Sequence, residues 1–198
     1  MSNVFALVPA KDPALGKSRL ASVLSDDERC ALNASLARHT LECCITVFGC
    51  RHTLVVTSSQ TIGDEARSLG IEIVKEGGAD GLNAALALAA ARALELGAGA
   101  AFVVPTDLAR LSEASLRGAL SSLPAAPGCL VVPDRRGEGT NLLGLAPVRA
   151  GVFAFGGASR ARHLERAKQL GYAVSEYHDQ ALALDIDLPS DYELWRGG

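Results

Sequence analysis

Short apolar runs alternate with stretches of helical pattern along this chain, and that alternation constrains the fold more than any other feature of the sequence. Strands that alternate with helices predict an α/β fold around a mostly parallel central sheet with helices on both faces. The chain has no internal repeat and no Ser/Gly linker, so we expect one domain over residues 1–198. The predicted strands are residues 4–8, 53–57, 71–74, 101–104 and 130–133.

Capping residues predict where several helices begin and end. Ser25 and Glu28 have the spacing of a capping box, so a helix should run from there to about Val47. Asn83 begins a stretch rich in Ala and Leu that ends at Leu96, just before a glycine, and this pattern predicts another helix. The remaining helices are predicted to end at Gly70, to cover residues 112–123 and 161–170, and to begin at Pro189.

Two further apolar stretches are predicted to add strands to the sheet. Residues 142–155 are apolar over a length that suits two short strands. Residues 181–186 are predicted to form the last strand, which leads into the helix that Pro189 opens.

The charge and cysteine content of the chain argue against several classes of protein. With 19 Lys and Arg against 22 Asp and Glu, a net charge of −3 and 5% aromatic residues, the chain lacks the basic and aromatic clusters of a nucleic-acid-binding face. No apolar run reaches the length of a membrane span, and no export signal is visible at the start. Five cysteines, an odd number without a CxxC pair, favour a reduced, cytoplasmic protein over a zinc site or a disulfide framework. The sequence leaves a homodimer open.

Polar and glycine residues follow the predicted strands at the point where each strand ends. In open α/β sheets, ligands bind beyond the carboxyl ends of the strands. The sequence therefore predicts a ligand site at this edge of the sheet. The loops that lie at this edge are residues 11–19, 57–60, 80–83, 105–107 and 185–187.

The first of these loops is basic. Lys11, Lys17 and Arg19 lie in it together with Gly16 and Ser18, where α/β folds hold phosphate with backbone N–H groups and cationic side chains. Gly16-Lys17-Ser18 imitates the end of a P-loop, but the first glycine of that motif would fall on Lys11, so we reject an ATPase of that type. The alternative is a solvated basic loop without a ligand.

Three aspartates at two strand ends are candidate metal ligands. Asp107 follows one predicted strand directly, and Asp185 and Asp187 flank Ile186, so they point to the same side of an extended chain. Carboxylate oxygens are the ligands that Mg²⁺ prefers, together with substrate phosphates. For Asp187, the alternative is a capping role before the helix at Pro189.

Two small hydroxyl residues are candidates for binding an anion. Thr140 follows a glycine, and Ser159 lies where a helix should begin after Gly156. The unpaired N–H groups of a helix N-terminus favour an anion. Ser159 could instead only cap its helix. His163 lies one turn further on, and we leave it unassigned because a structural histidine is an equal alternative.

These motifs, taken in order, resemble the guanylyltransferases of coenzyme F420 biosynthesis, the CofC/FbiD family, which is similar to the molybdenum-cofactor guanylyltransferases. The resemblance covers nearly the whole chain. One departure is Leu108-Ala109, where the family usually has Leu-Pro after the first metal aspartate. The matching segments are residues 8–11, 17–20, 81–83, 105–108, 139–141, 155–159 with His163, and 185–189.

The resemblance implies a GT-A-like Rossmann fold and the transfer of GMP from GTP to a small phosphorylated carboxylic acid, with release of diphosphate. The acceptors used in the family are phosphoenolpyruvate, 2-phospho-L-lactate and 3-phospho-D-glycerate, and no residue of this sequence decides among them. The alternatives are a MobA-like enzyme with a sugar-1-phosphate or molybdopterin acceptor, and a non-catalytic nucleotide-binding regulator.

The resemblance also implies roles for individual residues. Catalysis is assigned to Lys17, Arg19 and Asp107, with Mg²⁺ held by Asp107, Asp185 and Asp187. Nucleotide binding is assigned to Lys11, Lys17, Ser18, Arg19, Gly81 and Asn83, and acceptor binding to Thr140, Gly156 and Ser159.

Overall fold

A seven-stranded sheet with helices on both faces forms the centre of the molecule. The computed structural model describes residues 3–78 and 81–197, so Asp80 of the predicted edge loop lies outside the described residues. The strands are β1 Val4–Pro9, β2 Thr53–Thr57, β3 Glu72–Lys75, β4 Ala100–Val103, β5 Gly128–Pro133, β6 Thr140–Ala146 and β7 Ala173–Glu176. The helices are α1 Asp26–Phe48, α2 Gln60–Ser68, α3 Leu82–Glu95, α4 Glu113–Ser121, α5 Ser159–Gln169 and α6 Pro189–Arg196.

The strand order is β3-β2-β1-β4-β6-β5-β7, and β6 alone runs antiparallel to its neighbours in this sheet of the described residues. The mostly parallel sheet predicted from the sequence is confirmed. Because β6 is reversed, its first residue, Thr140, lies at the same edge as the carboxyl ends of the other strands. This edge of the sheet therefore consists of the carboxyl ends of the other strands together with the first residue of β6.

Alternation along β1 shows how the sheet is buried on both faces. Ala6 and Val8 pack in a cluster with residues of α1, α2 and α4, whereas Phe5 and Leu7 pack in a second cluster with α3 and α5. All four side chains are at most 1% exposed. Strands buried on both faces read as continuous apolar runs, which is why these segments were predictable.

The predicted starts and ends of the long helices are also confirmed. Ser25 Oγ accepts a hydrogen bond from Glu28 N, and the Glu28 carboxylate accepts one from Ser25 N, so the capping box forms before α1. Gly97, beyond α3, has a φ of 84°, a left-handed conformation that glycine adopts without a steric penalty.

Two strand predictions are wrong in detail. Residues 142–155 do not form two strands: residues 142–146 belong to a single strand, β6, and a 3₁₀ turn follows at Ala150–Val152. Pro147 follows β6 directly and has no N–H to continue the ladder. In addition, β7 was not predicted from the sequence, because this short strand is only partly buried and carries no continuous apolar run.

Residues 181–186 do not form the predicted last strand. The Asp179 carboxylate accepts hydrogen bonds from Ala181 N and Leu182 N, which bends the chain into a turn. Only one antiparallel bridge, between Leu108 and Asp185, remains of the predicted strand.

The five cysteines are free thiols, and Cys43, Cys44 and Cys129 are buried among apolar side chains. No helix within the described ranges combines the length and the apolar character that crossing a bilayer requires.

The close contact between β4 and β6 generates a stability prediction. A Cβ added at Gly144 would lie 2.7 Å from the Phe102 ring, so Gly144→Ala must displace a buried aromatic side chain. We expect a loss of roughly 1–3 kcal/mol in the free energy of unfolding, measured by denaturant titration. Gly151→Ala is the matched control, because its Cβ would meet only an ordinary contact at 3.5 Å. Equal stability of the two variants would contradict this account of the packing.

Candidate active site

Two distant segments of the chain pair at the carboxyl edge and bring three aspartates together. Ile186 N donates to Asp107 O at 3.1 Å, and Ala109 N donates to Leu184 O at 3.2 Å. These two bonds make up the antiparallel bridge between Leu108 and Asp185, and they fix residues 107–109 against residues 184–186. The side chains of Asp107, Asp185 and Asp187 are consequently close enough to influence one another's ionisation. We call this group the acidic cleft.

Burial and repulsion by neighbouring carboxylates raise the pKa values of Asp107 and Asp185. Burial raises the pKa of Asp107 to about 6; the nearby Lys17 ammonium opposes this shift, while the carboxylates of Asp187 and Asp185 add to it. Burial also raises the pKa of Asp185, against the hydrogen bond that Asn141 donates to it. Ionised carboxylates crowded in this way are stabilised by any cation that enters the cleft.

Lys17 supplies such a cation from the basic loop. Its Nζ donates to Ile186 O at 2.5 Å, between the two aspartates that flank Ile186. Lys17 has a φ of 56°, and a left-handed backbone at a residue other than glycine is strained. The surrounding loop therefore holds the side chain in place against an unfavourable local conformation.

A second contact anchors the basic loop to the sheet. Ser59 Oγ, beyond β2, donates to the Asp12 carboxylate at 2.6 Å, and Ala14 N donates to the same carboxylate at 3.0 Å. The Ser59 hydroxyl, followed by the Ala14 N–H, lowers the pKa of Asp12. Asp12 is thus a capping residue within the basic loop. The sequence predicts roles only for the cations, Gly16 and Ser18 of this loop, and none for Asp12.

The remaining predicted nucleotide-binding residues lie around this loop and the start of α3. Lys11, Ser18 and Arg19 are solvent-exposed, whereas Lys17 is partly buried against the acidic cleft. Gly81 has a φ of 88° and directly precedes α3. Asn83 is in the first turn of α3.

Asn83 ties α3 to the segment before α5. Phe155 N donates to Asn83 Oδ1 at 2.8 Å, and Asn83 Nδ2 donates to Phe155 O at 3.0 Å. Gly156 follows with a φ of 122°, a conformation that L side chains rarely adopt. Asn83 therefore has a structural role in holding the loop that contains Gly156, which its position in the sequence did not reveal.

The predicted acceptor residues Thr140 and Ser159 lie in direct contact. Thr140 N donates to Ser159 Oγ at 2.9 Å, and Thr140 Oγ1 lies 2.9 Å from His163 Nδ1. Ser159 is the first residue of α5; the N-cap is Ala158, which makes no side-chain capping bond. The Ser159 hydroxyl therefore receives the Thr140 N–H instead of capping its helix. We call Thr140 and Ser159 the hydroxyl pair.

Asn141 joins the hydroxyl pair to the acidic cleft. Its Nδ2 donates to Leu182 O at 3.0 Å and to Asp185 Oδ1 at 3.3 Å. Thr140 and Asn141 are consecutive at the start of β6, and side chains of consecutive strand residues point to opposite sides. The first two residues of β6 thus contact both parts of the site, a role that the sequence reading did not assign to Asn141.

Asp191 is a second residue that the sequence reading missed. Its carboxylate accepts from Leu188 N at 2.9 Å and from Asp187 N at 3.2 Å, and Arg135 and Arg136 also donate to it. Burial alone would raise its pKa, but these bonds and charges outweigh burial and lower it. The sequence did contain a signal for this capping role, because Asp191 stands at the third position of the helix that Pro189 opens, where an acidic side chain can accept from the N-cap backbone.

The donor set of the acidic cleft suits Mg²⁺ bound jointly with a substrate. In the described part of the chain, no three His, Cys, Asp or Glu side chains are arranged to enclose a metal ion by themselves. Mg²⁺ is usually held by one or two carboxylates, with waters and substrate phosphates completing its shell. Oxygen donors whose negative charges repel one another fit this type of binding.

Comparison with known proteins identifies the family. The model of the family "Guanylyl transferase CofC like" matches residues 4–195. The chain belongs to this family. It is 36% identical over 96% of its length to the phosphoenolpyruvate guanylyltransferase of Rubrobacter xylanophilus, covering 91% of that protein. It is 34% identical over 95% of its length to the 3-phospho-D-glycerate guanylyltransferase of Colwellia psychrerythraea, covering 89% of that protein. The resemblance drawn from the sequence is confirmed, and the chain is a nucleotidyltransferase of the guanylyltransferase type.

Solved structures agree on the fold. A nucleotidyl transferase from Methanothermobacter superposes with a TM-score of 0.66 at 16% identity, covering 98% of this chain and 96% of that one. A cytidylyltransferase from Leptospira borgpetersenii superposes with a TM-score of 0.61 at 12% identity, covering 98% and 84%. The predicted GT-A-like nucleotidyltransferase fold is therefore confirmed.

The opposite pKa shifts of Asp107 and Asp191 predict opposite effects on stability. A carboxyl with a raised pKa favours the folded state at low pH, and this contribution is lost as the pH rises through about 6 for Asp107. At about pH 8 without divalent metal, Asp107→Asn removes a carboxylate that destabilises the folded state, so the melting temperature should rise.

Asp191→Asn is the matched control for this experiment. The pKa of Asp191 is lowered, so its charge contributes stability above its ordinary pKa, and the variant should melt at a lower temperature. Thermal melts of both variants test the pair. A lower melting temperature for Asp107→Asn would mean that burial and the neighbouring carboxylates do not destabilise its ionised form.

Proposed function

We propose that this chain transfers the guanylyl group of GTP to a small phosphorylated carboxylic acid and releases diphosphate, as a step in coenzyme F420 biosynthesis. The names of the relatives support this class of acceptor, since they specify phosphoenolpyruvate and 3-phospho-D-glycerate. Phosphoenolpyruvate, 2-phospho-L-lactate and 3-phospho-D-glycerate share a phosphate and a carboxylate. A pocket for one of them therefore has to bind two anionic groups.

The observation that carries the proposal is the contact of β6 with both parts of the site. Thr140 belongs to the hydroxyl pair, and Asn141 donates to Asp185 in the acidic cleft. Both residues stand at the carboxyl edge of the sheet, so an acceptor anion bound by the hydroxyl pair and a nucleotide whose phosphates reach the acidic cleft would meet at that edge. Holding two reactants side by side in this way is a large part of what an enzyme contributes to group transfer.

The basic loop is proposed to hold the triphosphate of GTP. Lys17 already lies against the acidic cleft, and the exposed cations Lys11 and Arg19 are free to follow the phosphate chain together with Ser18. In the free protein the Lys17 ammonium neutralises part of the carboxylate charge. When phosphates enter, we expect Lys17 to release Ile186 O and to contact the leaving diphosphate. Gly81 and Asn83, at the start of α3, are proposed to contact the nucleotide.

Asp107, Asp185 and Asp187 are proposed to hold Mg²⁺. When bound, the ion would neutralise negative charge on the phosphates and stabilise the leaving diphosphate. Asn141 and Asp191 support this role, since they hold the side chain of Asp185 and the backbone of Asp187 in place.

The proposed reaction forms one P–O bond and breaks another. An oxygen of the acceptor phosphate attacks the α-phosphorus of GTP, and the bond from the α-phosphorus to the bridging oxygen breaks, so that diphosphate leaves with the electron pair. Lys17 and Arg19 stabilise the charge that develops on it. The acceptor phosphate is already ionised at neutral pH, so the step requires no general base.

The hydroxyl pair suits the acceptor because the Ser159 hydroxyl still has a proton to donate. Ser159 Oγ accepts the Thr140 N–H, so its own proton is available for an anion. Both residues are buried, with 3% of Ser159 and 7% of Thr140 exposed, so such bonds would form in a site that contains little competing water. Gly156 and the uncapped start of α5 add backbone N–H groups beside them.

The direct test is an assay of diphosphate release with GTP, Mg²⁺ and each of the three phosphorylated acids. We expect release that depends on both GTP and an acceptor, with the guanylylated acid identified by mass spectrometry. Asp107→Asn should lower turnover by about 10²–10³, the usual cost of removing one charge-stabilising group.

Asp179→Asn is the control for that variant, because Asp179 caps the neighbouring turn and is not part of the acidic cleft. Release with a sugar 1-phosphate but with none of the three acids would contradict the proposed acceptor class. Near-normal turnover of Asp107→Asn with Mg²⁺ present would remove Asp107 from the reaction.

The hydroxyl pair predicts a selective effect on the acceptor. Ser159→Ala removes a donor to an anion, which is worth about 1.5–3 kcal/mol, so the KM for the acceptor should rise roughly ten- to a hundredfold while that for GTP changes little. Steady-state kinetics with each substrate varied in turn measure the two constants.

Ser112→Ala is the matched control, because Ser112 Oγ caps α4 by accepting from Ser115 N at 3.1 Å. That variant should lose about 1 kcal/mol of stability with both Michaelis constants unchanged. The same behaviour in Ser159→Ala would mean that Ser159 is structural and does not bind the acceptor.

A further inference from the structure

We infer that His163 is a positioning residue for the acceptor, because it holds the Thr140 hydroxyl with its proton directed to the bound anion. This inference rests on the proposed function of the hydroxyl pair. It assigns a role to a buried group that makes specific contacts with two other parts of the chain, β6 and the loop before Gly156.

The ring of His163 is enclosed by defined partners. It is 0% exposed, and its Nε2 lies 3.0 Å from Ala154 N, while its Nδ1 lies 2.9 Å from Thr140 Oγ1. The Phe155 ring packs edge-on against it at 4.6 Å between centroids. His163 therefore connects α5 with β6 and with the loop that leads to Gly156.

These contacts determine which ring nitrogen carries the proton. A backbone N–H can only donate, so Nε2 must be the unprotonated acceptor for Ala154 N. In a neutral ring the proton is then on Nδ1, which donates to Thr140 Oγ1. Burial, together with the charges of Arg162 and Arg166, lowers the pKa of His163 to about 4, so the ring is neutral at physiological pH.

The orientation of the Thr140 hydroxyl follows from that tautomer. Its oxygen accepts from His163, so its own proton is not used in this bond and remains available as a donor. A ring protonated at Nε2 instead would leave Nδ1 to accept that proton, and Thr140 would lose its donor to the acceptor. His163 thus acts on binding through Thr140 without needing to touch the substrate.

A double-mutant cycle tests the inference in the full-length enzyme. Thr140→Val removes the hydroxyl and keeps the backbone N–H that donates to Ser159. We expect Thr140→Val and His163→Leu each to raise the KM for the acceptor about tenfold and to leave that for GTP nearly unchanged. In the double variant the two effects should not add, because His163 acts through the hydroxyl that Thr140→Val has removed.

His163→Asn and His52→Leu complete the set of variants. An asparagine amide can still donate near the position of Nδ1, so this variant should recover part of the acceptor affinity. His52→Leu is the matched control, because His52 also packs edge-on against a phenylalanine, Phe5, but precedes β2 at the opposite edge of the sheet. It should lower the melting temperature without changing either Michaelis constant.

A measurement of the ring itself is independent of activity. In ¹⁵N–¹H spectra of the parent protein, the ring of His163 should show a protonated Nδ1 and an unprotonated Nε2, assigned by comparison with His163→Asn. The opposite tautomer would overturn the inference.

Kinetic outcomes distinguish this inference from the proposed function. No diphosphate release by the parent enzyme with any of the three acids would defeat the proposed function itself. If the parent is active and Thr140→Val raises the acceptor KM, but His163→Leu does not, only the inference fails. Additive effects in the double variant, or a loss of melting temperature alone, would likewise mean that His163 is merely structural.

Discussion

The pairing of residues 107–109 with residues 184–186 is the interaction on which the rest of the site depends. Two backbone hydrogen bonds, which make up the antiparallel bridge between Leu108 and Asp185, join the segment after β4 to the segment before α6. This pairing brings together carboxylates that are far apart in the sequence, and it presents Ile186 O to Lys17. Without it, Asp107 would lie apart from Asp185 and Asp187.

The site brings negative charges close together, which lowers the stability of the folded state, and the surrounding structure offsets part of this loss. Asp107 and Asp185 have raised pKa values, so their ionised forms weaken the folded state. Three contacts offset this loss of stability. Lys17 supplies an opposite charge, Asn141 donates a hydrogen bond to Asp185, and the Asp191 carboxylate holds the backbone of Asp187 in place. A cleft kept negative and preorganised is suited to a cation that arrives with a nucleotide, as the family membership of the chain leads us to expect.

How much of the fold was predictable depended on whether the signal was local. The strand at residues 53–57 and the helix that Ser25 caps were predicted within a residue or two, because a buried run and a capping box are local signals. The turn at Asp179 was missed, because its apolar neighbours also suit a strand and only the capping carboxylate distinguishes the two. β7 was missed because an edge strand needs no continuous apolar run.

The same distinction applies to the candidate site. The sequence could indicate that Asp107 lies at the carboxyl edge of the sheet, since a strand ends shortly before it. It also placed Asp185 and Asp187 there, but they reach the edge through the pairing of residues 184–186 with residues 107–109 and not as the end of a strand. It could not indicate the contact of Lys17 with Ile186, the clamp of Asn83 on Phe155, or the tautomer of His163. Each of these depends on a hydrogen bond between segments that only the folded chain brings together.

The most direct test of the central claim is the position of the metal in a crystal of the protein with Mn²⁺ and a GTP analogue that cannot be cleaved. Anomalous scattering locates Mn²⁺ without reference to the protein atoms. We expect a peak within coordination distance of a carboxylate oxygen of the acidic cleft and of an α-phosphate oxygen of the analogue. A nucleotide bound with its α-phosphate and metal away from Asp107, Asp185 and Asp187 would contradict it.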